Sequence, residues 1–276
     1  MSNPTEDLLG EAGTQAPTLT VVNNLTEFAA SVSDLASNNR GVRWFRGTSR
    51  STHSLVPSLY RHPTMKGAND LIELEWELLS EFRHQAPPFA GKLPDANLEL
   101  LFLMQHFGVP TRLLDWSENP FIALFFALEN AMPNPVDAYD AAVWILDPVS
   151  LNRRSTSYRV TNTGIFGAYA PELAGYEPSA DGRRVAMRLP LGIFGIHNSP
   201  RIVAQRGAFV MFGRDTTALD LNSDLSGPDG VVHKILIKAE SRWQMRKDLS
   251  NIGISDSVVY PDLDGLGREI KNRKGF

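Results

Sequence analysis

The stretch QHFGVPTRLLDW, residues 105–116, sets polar side chains into otherwise apolar sequence. An apolar run enters it at Gln105 and His106, Gly108 and Pro110 interrupt it, and Arg112 and Asp115 emerge among leucines. Buried polar groups are costly unless each finds a partner, so these residues either tie the fold together or face something that binds. Gly108 stops the preceding helix and Pro110 bars its continuation. TRLLDW then reads as a short strand. Asn119 caps the next helix and Pro120 takes its first position.

Outward from this unit, ANLELLFLMQHF (96–107) is apolar on nearly every face, the pattern of an interior helix, and a buried helix spans 120–130. DLIELEWELLSEFRHQ (70–85) spaces Leu71, Leu74, Leu78 and Phe82 helically, with Asp70 as its cap. Asn24 and Leu25 open an amphipathic helix carrying Phe28, Val32 and Leu35. GVRWFRG (41–47), AAVWILDP (141–148), GAFVMFG (207–213) and VVHKILIK (231–238) read as strands. AESRWQMRKDLSNIG is a helix ended by Gly253, and Asp262 supports the N-terminal end of a last, basic-ended helix within 261–274. Residues 150–200 are weakly patterned, as functional or mobile segments often are. Residues 1–20 read as a flexible leader and 21–276 as one α+β domain with a mixed or antiparallel sheet.

The bulk numbers are those of a globular protein: 276 residues, 42% hydrophobic, 21% charged, net charge −4. They give no global pull towards nucleic acid or membrane. Cysteine is absent, which removes disulfides and thiol catalysis and fits a reducing cytoplasm. The apolar run PFIALFFAL (120–128) is about half a bilayer span. No P-loop, dinucleotide fingerprint or Gly-x-Ser-x-Gly elbow occurs, and the six histidines show no metal-ligand spacing.

What remains is a set of polar residues at the ends of separate elements, where folds gather ligand sites. They are Arg46, Gln105, His106, Arg112, Asp115, Ser117, Asn119 and Gln205. Gln105, Arg112 and Asn119 are expected to fasten the helix-strand-helix unit, with Arg112 and Asp115 as a possible ion pair. His106, Asp115 and Ser117 are expected to face a cleft. Arg46 in a sheet interior wants an anionic or planar polar partner.

WFRGTSRSTHSLVPSLYR followed by LLFLMQHFGVPTRLLDWSENPFIALFFAL resembles the FRG domain, a family named for its Phe-Arg-Gly motif, here Phe45-Arg46-Gly47. The resemblance continues through RIVAQRGAFVMF and IGISDSVVYPDLDGLGREI and covers about residues 25–271. It implies a split sheet like that of ADP-ribosyltransferases and an NAD-handling cleft. In that layout Arg46, Gly47, Thr48 and Arg201 would bind NAD, and Asp115, Ser117, Gln205 and His106 would be catalytic. The implied activity is transfer of ADP-ribose from NAD to a protein or nucleic-acid acceptor, or NAD hydrolysis, by a toxin or anti-phage effector.

The likeness departs from its pattern at Gln205, where the layout implies a glutamate. An amide has no charge and cannot act as a base near neutral pH. Asp115, Glu172 or Glu177 would have to supply the carboxylate, or the domain binds a nucleotide, a nucleic-acid end or a phage protein without turnover. The arginines at 153–159, 183–188 and 201–206 suit such binding. Hydrolase chemistry at His106 and Asp115 is a third alternative.

Overall fold

The computed structural model describes residues 19–38, 41–132, 138–156, 164–180, 185–196, 200–223, 225 and 230–275. His197 and most of the expected leader lie outside them. The strands are β1 (Leu19–Val22), β2 (Trp44–Thr48), β3 (Leu113–Ser117), β4 (Ala141–Leu146), β5 (Phe166–Gly167), β6 (Leu191–Phe194), β7 (Gly207–Met211) and β8 (Val232–Ile237). The first helices are α1 (Leu25–Asn38), α2 (Ala68–Gln85), α3 (Pro87–Ala90), α4 (Asn97–His106) and α5 (Pro120–Leu128). They are followed by α6 (Pro148–Thr156), α7 (Pro200–Gln205), α8 (Arg242–Asn251), α9 (Asp256–Val259) and α10 (Leu263–Lys274).

The strands form one open sheet in the order β1-β8-β4-β2-β3-β7-β6-β5, parallel at its two outer pairs and antiparallel between. It is a single α+β domain with flanking helices, as the sequence implies. β4 reads AAVWIL without alternation and all six residues are buried, because both faces of this central strand are covered. Among the described residues no helix is long and apolar enough to cross a membrane.

Local signals set several boundaries. Asn24 Oδ1 accepts the Glu27 amide at 2.8 Å while Glu27 Oε2 accepts the Asn23 amide at 2.8 Å, a reciprocal cap that starts α1. Asn119 Oδ1 accepts the Phe121 amide at 2.9 Å and Asp262 Oδ1 the Gly265 amide at 2.7 Å, both as expected. Asp70 is not a cap: α2 begins two residues earlier behind Gly67, and Asp70 sits in the first turn, where its charge suits the helix dipole. β1 takes up Leu19 and Thr20, placed in the leader by composition, because pairing with β8 supplies their backbone partners. The weakly patterned 150–200 region contains α6, β5 and β6, too short to carry a readable period.

Three apolar clusters hold the sheet. One lies under α1, α5 and α8, and includes Phe28, Phe45, Phe125 and Ile235. A second gathers Trp44, Trp116, Trp144 and Phe212. The third packs α4 against Leu113, Phe209 and Met211.

The register shows where the sheet opens. β3 pairs with β7 over five residues and β2 with β4 over five, but β2 meets β3 only at Phe45 opposite Ser117. Beyond that bridge the two strands part.

Candidate functional site

A cavity of about 350 Å³ lies at this split, lined from both sides of it. Residues of β2 and the segment after it (Arg46, His53, Arg61) form one wall, and α4 with α7 (Gln105, His106, Arg201, Gln205) the other. Asp115 of β3 lies between them. The volume is at the lower end of small-molecule sites, roughly 300–1,000 Å³.

Arg46 reaches across the gap. Its Nη1 donates to the Asp115 carbonyl at 2.6 Å, supplying the hydrogen bond that a strand neighbour would otherwise give, and lies 3.9 Å from Asp115 Oδ2. Burial pulls the guanidinium down from its ordinary pKa, Asp115 draws it back up, and the Arg61 charge adds to the fall. An arginine stays a cation regardless, so it is a partly desolvated positive charge. Its Nε and Nη2 have no acceptor among the described residues.

The Asp115 carboxylate is held rather than buried. Gln105 Nε2 donates to Oδ2 at 2.8 Å, and Gln105 Oε1 accepts from Thr111 Oγ1 at 2.6 Å, so both ends of the amide are used. The side chain of Asp115 remains 56% exposed. Gln105 therefore does two jobs: it fastens α4 to the strand that follows, as expected, and it aims the carboxylate into the cavity.

Arg112 does not pair with Asp115. It is fully buried and its Nε donates to Glu75 Oε2 of α2 at 2.8 Å, with Glu75 equally buried. Its backbone amide donates to Glu75 Oε1 at 3.3 Å, and its remaining guanidinium donors reach the carbonyls of Phe212 and Tyr176. Alternation puts Arg112 and Asp115 on opposite sides of the chain's path, and the buried one takes the buried acid.

Ser117 borders the cavity, but its hydroxyl is engaged twice. It donates to the Gln205 carbonyl at 2.6 Å and accepts the Asn119 amide at 2.9 Å. The cleft-facing placement expected for Ser117 holds, and its hydroxyl also serves as a strut between β3, α5 and α7. Gln205 ends α7 rather than lying on a strand, and its Nε2 donates to the Val259 carbonyl at 3.1 Å. It lines the cavity as a brace.

Gly47 serves packing. A Cβ there would lie 1.9 Å from the Ala123 carbonyl oxygen and 2.5 Å from the Ala127 nitrogen, so glycine is what lets α5 sit on β2. Thr48 is buried with its hydroxyl 3.4 Å from the Ala142 carbonyl. Gly47 and Thr48, expected from the resemblance to bind NAD, both border the cavity, and Gly47 in addition seats α5. Glu172 and Glu177 do not line it: Glu172 lies in the first turn of a short 3-10 helix over Pro171–Tyr176, and Glu177 follows its end.

His106 and Arg201 do line it, as expected. The Arg201 guanidinium lies 4.8 Å from the Tyr260 ring centre. Burial pulls the His106 pKa below 6.5 and Arg201 pulls it further, against Asp262. Three titratable lining residues escaped the sequence reading. His53 and Arg61 come from an irregular, proline-punctuated segment with no periodicity to mark them, and Glu129 follows the last residue of α5. Glu129 accepts the Tyr260 hydroxyl at 2.8 Å. Burial lowers the His53 pKa, with Arg50 and Arg61 adding to the fall.

The charge balance of the cavity is thus opposite to that of the chain: Arg46, Arg61 and Arg201 stand against Asp115 and Glu129. Such a recess attracts anions. Among the described residues no group of three or more His, Asp or Glu is placed to hold a metal ion.

No curated protein and no solved structure matches the chain. A family model does, over a narrower stretch than the 25–271 read from the motifs. Residues 42–135, which hold Arg46, Gly47, Gln105, His106 and Asp115, match the model of the FRG domain, and that match supports the FRG family.

Proposed function

We propose that the cavity at the split between β2 and β3 binds a phosphorylated nucleotide, with NAD the first ligand to test. The observation that carries this is the Arg46 guanidinium, partly desolvated, tied to the Asp115 backbone through one nitrogen, and open to the cavity through the rest. A planar fork of this kind matches phosphate oxygens, and Arg61 and Arg201 add charge on either side. Asp115, oriented by Gln105, is placed to accept hydrogen bonds from ribose hydroxyls. The volume suits one nucleoside phosphate enclosed, with the rest of a dinucleotide at the mouth.

Cleavage of the nicotinamide–ribose bond is the second reading, favoured by the same held and accessible Asp115 carboxylate. Breaking that bond builds positive charge on the ribose, as in glycoside hydrolysis, and a fixed anion beside it stabilises that charge. In this reading Ser117, bonded to the Gln205 carbonyl and the Asn119 amide, and Gln205, whose Nε2 bonds the Val259 carbonyl, hold the walls of the site, and Asp115 supplies the charge. Transfer to a protein or nucleic-acid acceptor would need that acceptor at the same mouth.

Calorimetric titration with NAD, ADP-ribose and nicotinamide mononucleotide tests binding, and nicotinamide release with and without candidate acceptors tests turnover. Binding that is lost in Arg46→Ala supports the site. Equal affinity in wild type and Arg46→Ala for all three ligands overturns it, and binding without nicotinamide release leaves the recognition role and removes the catalytic one.

A further inference from the structure

Two surfaces away from the cavity leave apolar side chains exposed. The first is the outer face of α10. Its inner side is small and polar: Gly265 lies where a Cβ would come within 2.0 Å of the Tyr260 carbonyl, and Glu269 accepts from the Ser255 hydroxyl at 2.6 Å and the Ser257 amide at 3.1 Å. The apolar residues point outward. Leu263 is 84% exposed, Leu266 44% and Ile270 49%, at spacings i, i+3 and i+7 that form one stripe. Amphipathic helices ordinarily turn that stripe to the core; α10 is inverted. Lys271 and Lys274 stand beside it, exposed, with no acidic partner among the described residues.

The second is an apolar groove of about 540 Å³ where α2, α3 and the turn after α4 meet. Leu78, Phe82, Phe89, Phe107 and Val109 line it, with Phe89 90% and Phe107 64% exposed. Along its side runs the solvent face of α2, which carries Asp70, Glu73, Glu77 and Glu81 at i, i+3, i+7 and i+11, all exposed. Glu81 lines the groove itself.

We propose that α10 of one molecule docks into this groove of a second copy of the chain. The two surfaces match in kind: a helix with three apolar anchors in one stripe, and a concave apolar slot. They also match in sign, basic Lys271 and Lys274 against acidic Glu77 and Glu81. One contact covers both exposed apolar patches, which isolated soluble domains otherwise keep small. Because helix and groove are different surfaces, the contact is heterologous, and it repeats head to tail into a ring or an open chain. A single helix in a slot is at the small end of specific interfaces, about 1,200 Å² in total, so assembly depends on concentration.

Sedimentation velocity of the full chain over a concentration and salt series tests this. The expected result is a mass that rises above the 30.5 kDa of one chain with concentration and falls back in high salt. Leu263→Asp and Phe89→Asp, both at exposed positions, each abolish the rise while circular dichroism stays unchanged. Mixing the two variants restores a heterodimer, since one keeps an intact groove and the other an intact helix. A monomer at every concentration overturns the proposal, as does assembly that survives both substitutions. Loss in Leu263→Asp without rescue on mixing also overturns it, by showing that α10 pairs with itself. Leu263-dependent binding to anionic vesicles without self-association would do the same, by assigning the helix to a membrane surface.

Discussion

Arg46 Nη1 donates to the backbone carbonyl of Asp115 at 2.6 Å across the point where β2 and β3 separate. A side chain thereby replaces one rung of the sheet and keeps the split from leaving an unpaired carbonyl. The rest of the guanidinium is then presented to the cavity, so one residue both closes the backbone account and opens a binding surface.

Replacing Arg46 by Ala removes both contributions. Nucleotide affinity is expected to fall at least about tenfold, since a charge-assisted hydrogen bond contributes roughly 1.5–3 kcal/mol. Lys is expected to restore little, because an ammonium lacks the planar fork that bonds the carbonyl through one nitrogen and presents paired N–H donors to a phosphate. Titration calorimetry of the three proteins checks this; full affinity in Arg46→Lys would contradict the fork geometry.

Gly47→Ala is expected to damage folding. The added methyl meets a backbone oxygen at 1.9 Å, and no side-chain rotation relieves that contact. Overpacking of this kind costs about 3 kcal/mol or more, visible as a lower melting temperature and a reduced soluble yield. A variant with unchanged melting would show that α5 can lift from β2 freely.

Ser117→Ala separates strut from nucleophile. Losing two hydrogen bonds, to the Gln205 carbonyl and from the Asn119 amide, is expected to cost about 1–3 kcal/mol in urea unfolding. Ligand binding and any nicotinamide release should persist in the folded fraction. Abolished turnover with unchanged stability would return the serine to a chemical role.

Arg112→Ala leaves the Glu75 carboxylate buried without its cation and is expected to cost about 3–5 kcal/mol. Asp115→Asn, by contrast, should barely change stability while weakening ligand binding, because that side chain is half exposed. The double change Glu75→Leu with Arg112→Met should recover much of the single variant's loss. Denaturant midpoints measure all three.

Binding of a phosphorylated ligand is expected to strengthen with acid. His53 and His106 are both pulled below the ordinary 6.5, burial first and neighbouring arginines second, so at pH 7 they are mostly neutral. As pH falls well below 6.5 each gains a proton and adds positive charge to the lining. The diphosphate of ADP-ribose keeps its charge throughout, so affinity for it should rise on the acid side of the ordinary histidine value of 6.5 rather than above it. The double variant His53→Gln, His106→Gln should flatten the profile; an unchanged slope would remove the two imidazoles from the site.

The helix-strand-helix unit around Gly108, Pro110, Asn119 and Pro120 was legible because caps, breakers and short periodicities act between residues a few positions apart. The same holds for the α+β class, the interior character of α4 and α5, and the gathering of Arg46, Asp115 and His106 near one another. The sequence could not reveal that Arg112 takes Glu75, 37 residues away, or that an irregular segment brings Arg61 and His53 to the same cavity. Nor could it show that Ser117 is spent on the Gln205 carbonyl, 88 residues on. Those outcomes depend on strand order and on the single bridge between β2 and β3. Both are products of non-local packing, in which a polar group's partner is whatever the closed core brings within reach, and no local pattern records that.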